Sequence, residues 1–309
     1  MHNNTLTVTV VANITANYGE GIGNISTVHK IYKNGKAYAI RSHESLKHEI
    51  MEQSGFYDGV QVVVQGTAQK KATEEYNAAN SRAYESGYLT SGKNTYSRKS
   101  SFCVSDAVAV NSFNPELRFH NNLHLASVYA EANGLNLQAQ TDEKDMDDEG
   151  DKKEKKNPCG LMPYQYEYDR GLKCYSFTLF LDKIGIEKNF PSVAISNEEK
   201  ASRVNTLLRT VKDLSLSVRG NLDDASPLFI VGGLTNRPTH VFENLISVKG
   251  NKIIIHNELK NKMAEGFSCG VVQCGIFDNE SEIIEKLNAI SVSEFFSNLE
   301  QSVNNYYGV

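Results

Sequence analysis

Apolar and polar side chains alternate at the start of the chain, with Leu6, Val8 and Val10 on one side and Thr5, Thr7 and Thr9 on the other. That period of two predicts a strand with one buried face. A helix is predicted soon afterwards, with Leu46, Ile50 and Met51 as its apolar stripe. The next core strand is predicted at residues 174–181, where Tyr175, Phe177, Leu179 and Leu181 share one face and Ser176 and Thr178 the other. Between them the pattern predicts a large insert from residue 55 onward. It opens with an apolar strand at 60–64 and then turns polar, rich in Tyr, Asn, Ser and Lys, as far as residue 100. A better-buried stretch at 102–110 and a helical pattern at 123–132 follow. Residues 141–156 carry mixed charge and almost no apolar side chains, which predicts a mobile surface loop.

Beyond residue 181, Ser196 and Glu199 make an S-x-x-E capping box ahead of Val204, Leu207, Leu208, Val211 and Leu214 at helical spacing. Pro227 opens a strand at 228–231 that ends at Gly232-Gly233, and residues 245–248 and 252–256 flank Gly250-Asn251 as a hairpin. Two further helices are predicted at 282–288 and 292–303. Strand, helix, strand, helix and strand in that order describe an α+β protein. The pattern is compatible with a ferredoxin-like sheet but does not by itself choose that fold from other α+β arrangements.

Composition narrows the function classes. A chain of 309 residues, 40% hydrophobic, can bury a sizeable core as one large domain or as a core plus an insertion. A net charge of -5 argues against a protein that coats nucleic acid through global positive charge. The charge is uneven, however: residues 29–49 carry Lys30, Lys33, Lys36, Arg41 and Lys47 against Glu44 and Glu49 only. A local grip on phosphate therefore survives the negative total. The five cysteines show no CxxC pair and no zinc spacing, so neither a metal knuckle nor a disulfide framework is expected. Met1-His2-Asn3-Asn4 does not begin a charged segment followed by an apolar run, and no stretch approaches the roughly 18 apolar residues of a membrane span. The expectation is a soluble, cytoplasmic protein with no membrane partner.

The candidate chemistry begins at Arg41-Ser42-His43-Glu44-Ser45-Leu46-Lys47. A helix start offers exposed N–H groups and the positive end of the helix dipole to a phosphate. Arg41, His43 and Lys47 would add charge-assisted donors and Ser42 and Ser45 hydroxyls, while His29 and Lys30 would flank the same groove. The competing reading is that Ser42 caps the helix, the charges are solvated and His29 is a hydrogen-bonded core histidine. No HExxH, GxSxG, P-loop or dinucleotide fingerprint is present. Gly19-Glu20-Gly21-Ile22-Gly23 lacks the Lys-Ser/Thr pair of a P-loop and reads as a flexible loop. Hence no catalytic residue, no metal and no cofactor is expected. Tyr164, Tyr166 and Tyr168 alternate as in an edge strand or hairpin that covers a core.

Residues 6–17, 24–29 and 37–47, with a fainter extension through 158–183 and 196–233, resemble the CRISPR-associated Cascade backbone subunits of the RAMP superfamily. The similarity is to the DevR-type autoregulator branch, near the type I-B form. It implies a modified RNA-recognition-motif (ferredoxin-like) palm from residues 1–54 and 172–309, inserted fingers from 55–156 and a thumb loop at 157–171. It further implies copies assembled head-to-tail along a CRISPR guide RNA, beside other Cascade subunits, presenting the guide to target DNA. On that resemblance Arg41, Ser42, His43, Ser45, Lys47, His29 and Lys30 contact the guide, and Met162, with Tyr164 and Tyr166, wedges between bases. The branch is regarded as a non-cleaving scaffold. Related type III subunits cleave target RNA through an acid on an early palm loop, where Glu20 is the only acid here, so a metal-assisted ribonuclease remains one alternative. A free-standing RNA-binding autoregulator is the other.

Overall fold

The structure, a computed structural model, describes residues 3–22, 25–92, 94–138, 141–143 and 154–309. The chain divides into two compact units. The first comprises Met1–Asn17, His29–Phe113 and Arg170–Val309, and the second Tyr18–Val28 and Asn114–Asp169.

The alternation at the start of the chain builds the centre of the first unit. Thr5–Thr15 pairs antiparallel with Arg170–Phe180 on one side and Phe229–Thr235 on the other. Ser268–Val271 extends the sheet beyond Phe229–Thr235. On the other side Arg170–Phe180 is followed by Ala107–Ala109, Lys36–Arg41 and Lys30–Lys33, and Phe102–Val104 also pairs with Arg170–Phe180. All these pairings are antiparallel, and the protein is α+β.

One face of the sheet carries Leu6, Val8, Val10, Ala12 and Ile14. They pack on Leu46, Ile50 and Met51 of the helix His43–Gln53, on Val204, Leu207 and Val211 of Asn197–Lys212, and on Phe295, Leu299 and Val303 of Val292–Tyr307. Ser196 caps Asn197–Lys212 by accepting from the Glu199 N–H, as the sequence motif predicts. The Glu199 carboxylate is taken up by Arg82 and Arg203.

The opposite face corrects the expectation of a single buried side. Thr5, Thr7 and Thr9 are buried too, beneath Phe242, Ile246, Ile253, Leu259 and Phe277 from the later part of the chain. The hydroxyls survive burial because each has a partner. Thr7 Oγ1 lies 3.0 Å from Thr178 Oγ1, Thr9 Oγ1 lies 2.7 Å from Ser176 Oγ, and Thr178 Oγ1 also meets His240 Nδ1 at 2.8 Å.

Other expectations shift. Residues 102–110 are not part of an insert: Phe102, Val104 and Ala107 are apolar and hold places in the main sheet. The second unit accordingly takes 18–28 from the predicted N-terminal palm and most of the predicted thumb, and the core strand begins at Arg170 rather than 174. The apolar strand expected at 60–64 is Val62–Gln65, a hairpin with Thr67–Lys70 whose Val62 and Val64 are exposed. Gly232-Gly233 does not end a strand, since Phe229–Thr235 runs through it. A Cβ at Gly232 would stand 2.1 Å from the Thr7 carbonyl oxygen, so glycine permits the close approach of the two strands. The late hairpin is shorter than predicted, Val248–Lys249 against Lys252–Ile253.

The second unit holds a four-stranded sheet in the order Leu117–His120, Tyr164–Glu167, Ile25–Val28, Tyr18–Ile22. Its middle pairing is parallel and the outer two are antiparallel. The residues read as a glycine loop lie largely on the strand Tyr18–Ile22. The helix Leu123–Asn133 buries Ala126 and Ala130 against Cys159, and Gly134 closes it in the left-handed conformation. Thr141–Glu143 pairs with Glu154–Lys156. Residues 144–153 of the predicted charged loop lie outside the described residues.

Candidate nucleic-acid interface

The predicted phosphate site forms as a capped helix start. Ser42, in extended conformation, caps His43–Gln53 by accepting from the Ser45 N–H at 3.3 Å. The Ser42 N–H donates to Asn17 Oδ1 at 2.9 Å, and the His43 N–H donates to Asp106 Oδ1 at 2.7 Å. His43 Nδ1 reaches the same carboxylate oxygen at 2.8 Å. The position at which a helix dipole would hold a phosphate is thus held by the chain's own Asp106. Asn17 also ties in His29: its backbone oxygen accepts from the His29 N–H and its Nδ2 lies 3.2 Å from His29 Nδ1. His29 and His43 are exposed, and Ser42, Ser45 and Lys30 half-buried. The Lys30 ammonium lies 4.6 Å from the centre of the Phe113 ring.

Arg41 and Lys47 correct the expectation of exposed, solvated cations. Arg41 is only 3% exposed, because Lys36–Arg41 enters the sheet at its end and leaves the last three side chains inside. Its Nη2 lies 3.4 Å from Glu49 Oε1, whereas Nε and Nη1 are buried with no hydrogen-bond partner. Burial holds the guanidinium below its ordinary pKa against the upward pull of Glu49 and Asp223. Lys47, one turn into the helix, donates to the Ser86 carbonyl at 3.1 Å and Ser100 Oγ at 3.0 Å, over the Phe102 ring. Desolvation lowers its pKa as well. The structure therefore gathers His29, Ser42 and His43 at the surface and turns Arg41 and Lys47 inward.

The second unit holds the other predicted contacts. Met162 is 64% exposed and its N–H donates to Asn122 Oδ1 at 2.8 Å. Tyr164 is exposed and Tyr166 buried, on a strand inside the four-stranded sheet rather than at an edge. Arg118 and His120, on the neighbouring strand, stand beside these tyrosines. The sequence reading missed both, although Arg118 and His120 alternate with Leu117 and Phe119 in the period of a strand. Glu20 falls on Tyr18–Ile22, and its side chain lies outside the described residues. Among the described residues no group of three or more His, Cys, Asp or Glu side chains is placed to hold a metal ion. No helix among them is long and apolar enough to cross a membrane.

A profile of the family described as CRISPR-associated negative auto-regulator DevR/Csa2 matches residues 61–253. Among solved structures, a chain of a "CRISPR RNA-guided surveillance complex, pre-nicking" is similar over 98% of this chain and 100% of its own, with a TM-score of 0.59 at 9% identity. At that identity the likeness is one of fold. A chain of another CRISPR RNA-guided surveillance complex matches with a TM-score of 0.47 at 13% identity, over 98% of both chains. No curated protein matches in sequence.

Proposed function

The chain belongs to the CRISPR-associated DevR/Csa2 family, and on that footing we propose that it is a repeated guide-RNA-binding backbone subunit of a type I CRISPR surveillance complex. The observation that carries the reading is the family match across residues 61–253. The strand order supports the palm. Thr5–Thr15, the helix His43–Gln53, Phe102–Val104, Arg170–Phe180, the helix Asn197–Lys212 and Phe229–Thr235 follow one another as βαββαβ. The four strands lie side by side as fourth, first, third, second, the arrangement of a ferredoxin-like RNA-recognition fold.

With a net charge of -5 the grip on RNA is local. The exposed His29 and His43 and the half-buried Lys30, Ser42 and Ser45 contact the guide backbone beside the helix start that Asp106 fills, and Arg41 and Lys47 hold that helix from within. Phosphate contacts position an RNA without reading its sequence, as a protein that accepts many guides requires. Base pairing then reads the target DNA. Copies join head-to-tail, a contact that grows into a helical filament unless its rotation closes. Met162 wedges between bases, and the subunit works in the cytoplasm as a scaffold without catalysis.

Co-expression with a CRISPR array tests the reading. The protein is expected to purify with RNA of discrete length as a large assembly, and an RNA-free monomer would overturn it. The description of the family as a negative auto-regulator favours a second reading, a free-standing RNA binder acting on its own transcript. That reading predicts a defined complex with the transcript leader and no filament. Matched target incubated with divalent metal should stay intact; cleavage lost in Glu20→Ala would replace the scaffold with a ribonuclease.

A further inference from the structure

One face of the four-stranded sheet in the second unit is aromatic. Antiparallel pairing sets His120 opposite Tyr164 and Arg118 opposite Tyr166, and directly paired residues share a face. The His120 and Tyr164 rings lie 5.6 Å apart and 24° from parallel. Tyr166 completes the group at 4.8 Å from His120 and 6.4 Å from Tyr164. Alongside, the Arg118 guanidinium lies 3.3 Å from the centre of the Tyr168 ring. Tyr166 is the buried member of the group, and His120 and Tyr164 beside it are exposed.

Aromatic side chains that only fill a core are buried, but here the stacked rings of His120 and Tyr164 and the Arg118 guanidinium beside them are exposed. Arg118 also has a carboxylate neighbour, Glu116 Oε1 at 3.2 Å from its Nε. Its charge is therefore met locally, and what it offers outward is a flat cation stacked on a ring rather than a free phosphate clamp. Flat aromatic and guanidinium surfaces take nucleobases whatever their identity, because every base has a π-face.

We infer that His120 and Tyr164, flanked by Tyr166 and extended by Arg118 on Tyr168, form a stacking platform for the unpaired bases of a single nucleic-acid strand. The platform rests on the nucleic-acid-binding reading and adds a site to it. Its residues on Leu117–His120 lie outside the predicted thumb loop. It reassigns Tyr164 and Tyr166 from the wedge expected of them with Met162, because it holds bases by their faces instead of forcing them apart.

The test uses the full chain with short fluorescein-labelled strands of RNA and of DNA, each single-stranded and as a duplex. Single strands are expected to bind more tightly than duplexes, and the RNA and DNA arms tell which strand the platform prefers. His120→Ala with Tyr164→Ala should weaken single-strand binding about tenfold or more. His120→Phe with Tyr164→Phe, which keeps both rings, should retain it. The chain has 15 tyrosines and no tryptophan, so the part of the tyrosine quenching on binding that Tyr164→Phe removes reports stacking at that ring. Equal affinity for duplex and single strand, unchanged binding by the alanine pair, or equal loss in the phenylalanine pair would each overturn the platform. Far-UV melts of both double variants separate a folding defect from a lost site. RNA co-purified with the wild type after co-expression reports on the backbone reading separately: the platform alone fails if that RNA is present while the alanine pair binds short strands normally.

Discussion

In the first unit the strand Thr5–Thr15 has a strand on each side and cover on each face, and of its eleven residues only Asn13 escapes full burial. In the second unit all four residues of Leu117–His120 are exposed, although that strand alternates just as regularly. Alternation determines which residues share a face; whether the face is covered depends on chain that arrives from elsewhere. The first unit places most of its apolar side chains in a core, with Val62 and Val64 among the exceptions. The second leaves Leu117, Phe119, Leu125, Val128 and Tyr129 in contact with water.

The contrast breaks most visibly at the centre of the first sheet. Phe177→Ala should cost about 3–5 kcal/mol in denaturant unfolding, since a fully buried ring leaves a cavity that its neighbours cannot fill. Glu85→Ala should cost a similar amount, about 3–5 kcal/mol. Its buried carboxylate pairs with Arg203 Nη1 at 2.8 Å and Arg98 Nη2 at 3.1 Å, and its loss leaves the nearly buried Arg98 without a carboxylate and Arg203 with Glu199 alone. Either variant unfolding at the wild-type midpoint would remove the claim that burial in this unit is structural.

Arg41→Ala with Lys47→Ala sharpens the comparison at the candidate interface. Because both cations are inside, the double variant should lose about 1–3 kcal/mol of stability as buried partners go unpaired. His43→Ala, at an exposed position, should shift the melt by less than about 1 kcal/mol and weaken RNA binding alike across guide sequences if His43 touches a phosphate. A double variant that melts like the wild type while RNA binding weakens would return Arg41 and Lys47 to the surface role that the sequence suggests.

Alkaline pH probes the depth of the first sheet. Burial pushes the Cys174 and Cys269 thiols up to about 12. In the unfolded chain these thiols ionise near their ordinary value, while in the folded chain they stay protonated. The stability they contribute is fully present below a pH of about 8.5 and is lost as pH rises toward 12, at about 1.4 kcal/mol per pH unit for each thiol. Unfolding midpoints measured across that range should fall more gently for Cys269→Ala than for the wild type, and identical slopes would show that the thiol is not buried as described. The smallest effect is expected from Phe119→Ala in the second unit: within about 0.5 kcal/mol by thermal melt, because the ring has little contact to lose. A loss comparable with that of Phe177→Ala would mean that the second sheet is covered in solution.

Much was legible in the chain before its fold. The strand at its start, the helix that buries Leu46, Ile50 and Met51, and the helix capped by Ser196 all follow from periods and caps that neighbouring residues set between themselves. The family was legible as well, although the matched stretch, residues 61–253, lies beyond the opening segments that suggested it and takes in only the fainter ones. The site was legible only in part. His29, Ser42 and His43 do come together, but nothing local reveals that Asp106, 63 residues beyond His43, fills the helix start, or that Arg41 points inward.

The sequence by itself determined which side chains stand on one face of a strand or helix, because covalent geometry imposes the periods of two and 3.6 on adjacent residues. Only the tertiary structure decided which faces meet water. Thr9 is buried because Ser176, 167 residues away, supplies its hydroxyl with a partner. His120 stands beside Tyr164 because two distant segments pair in one register. Such contacts depend on which remote segment arrives to make them, and no period within a strand records that.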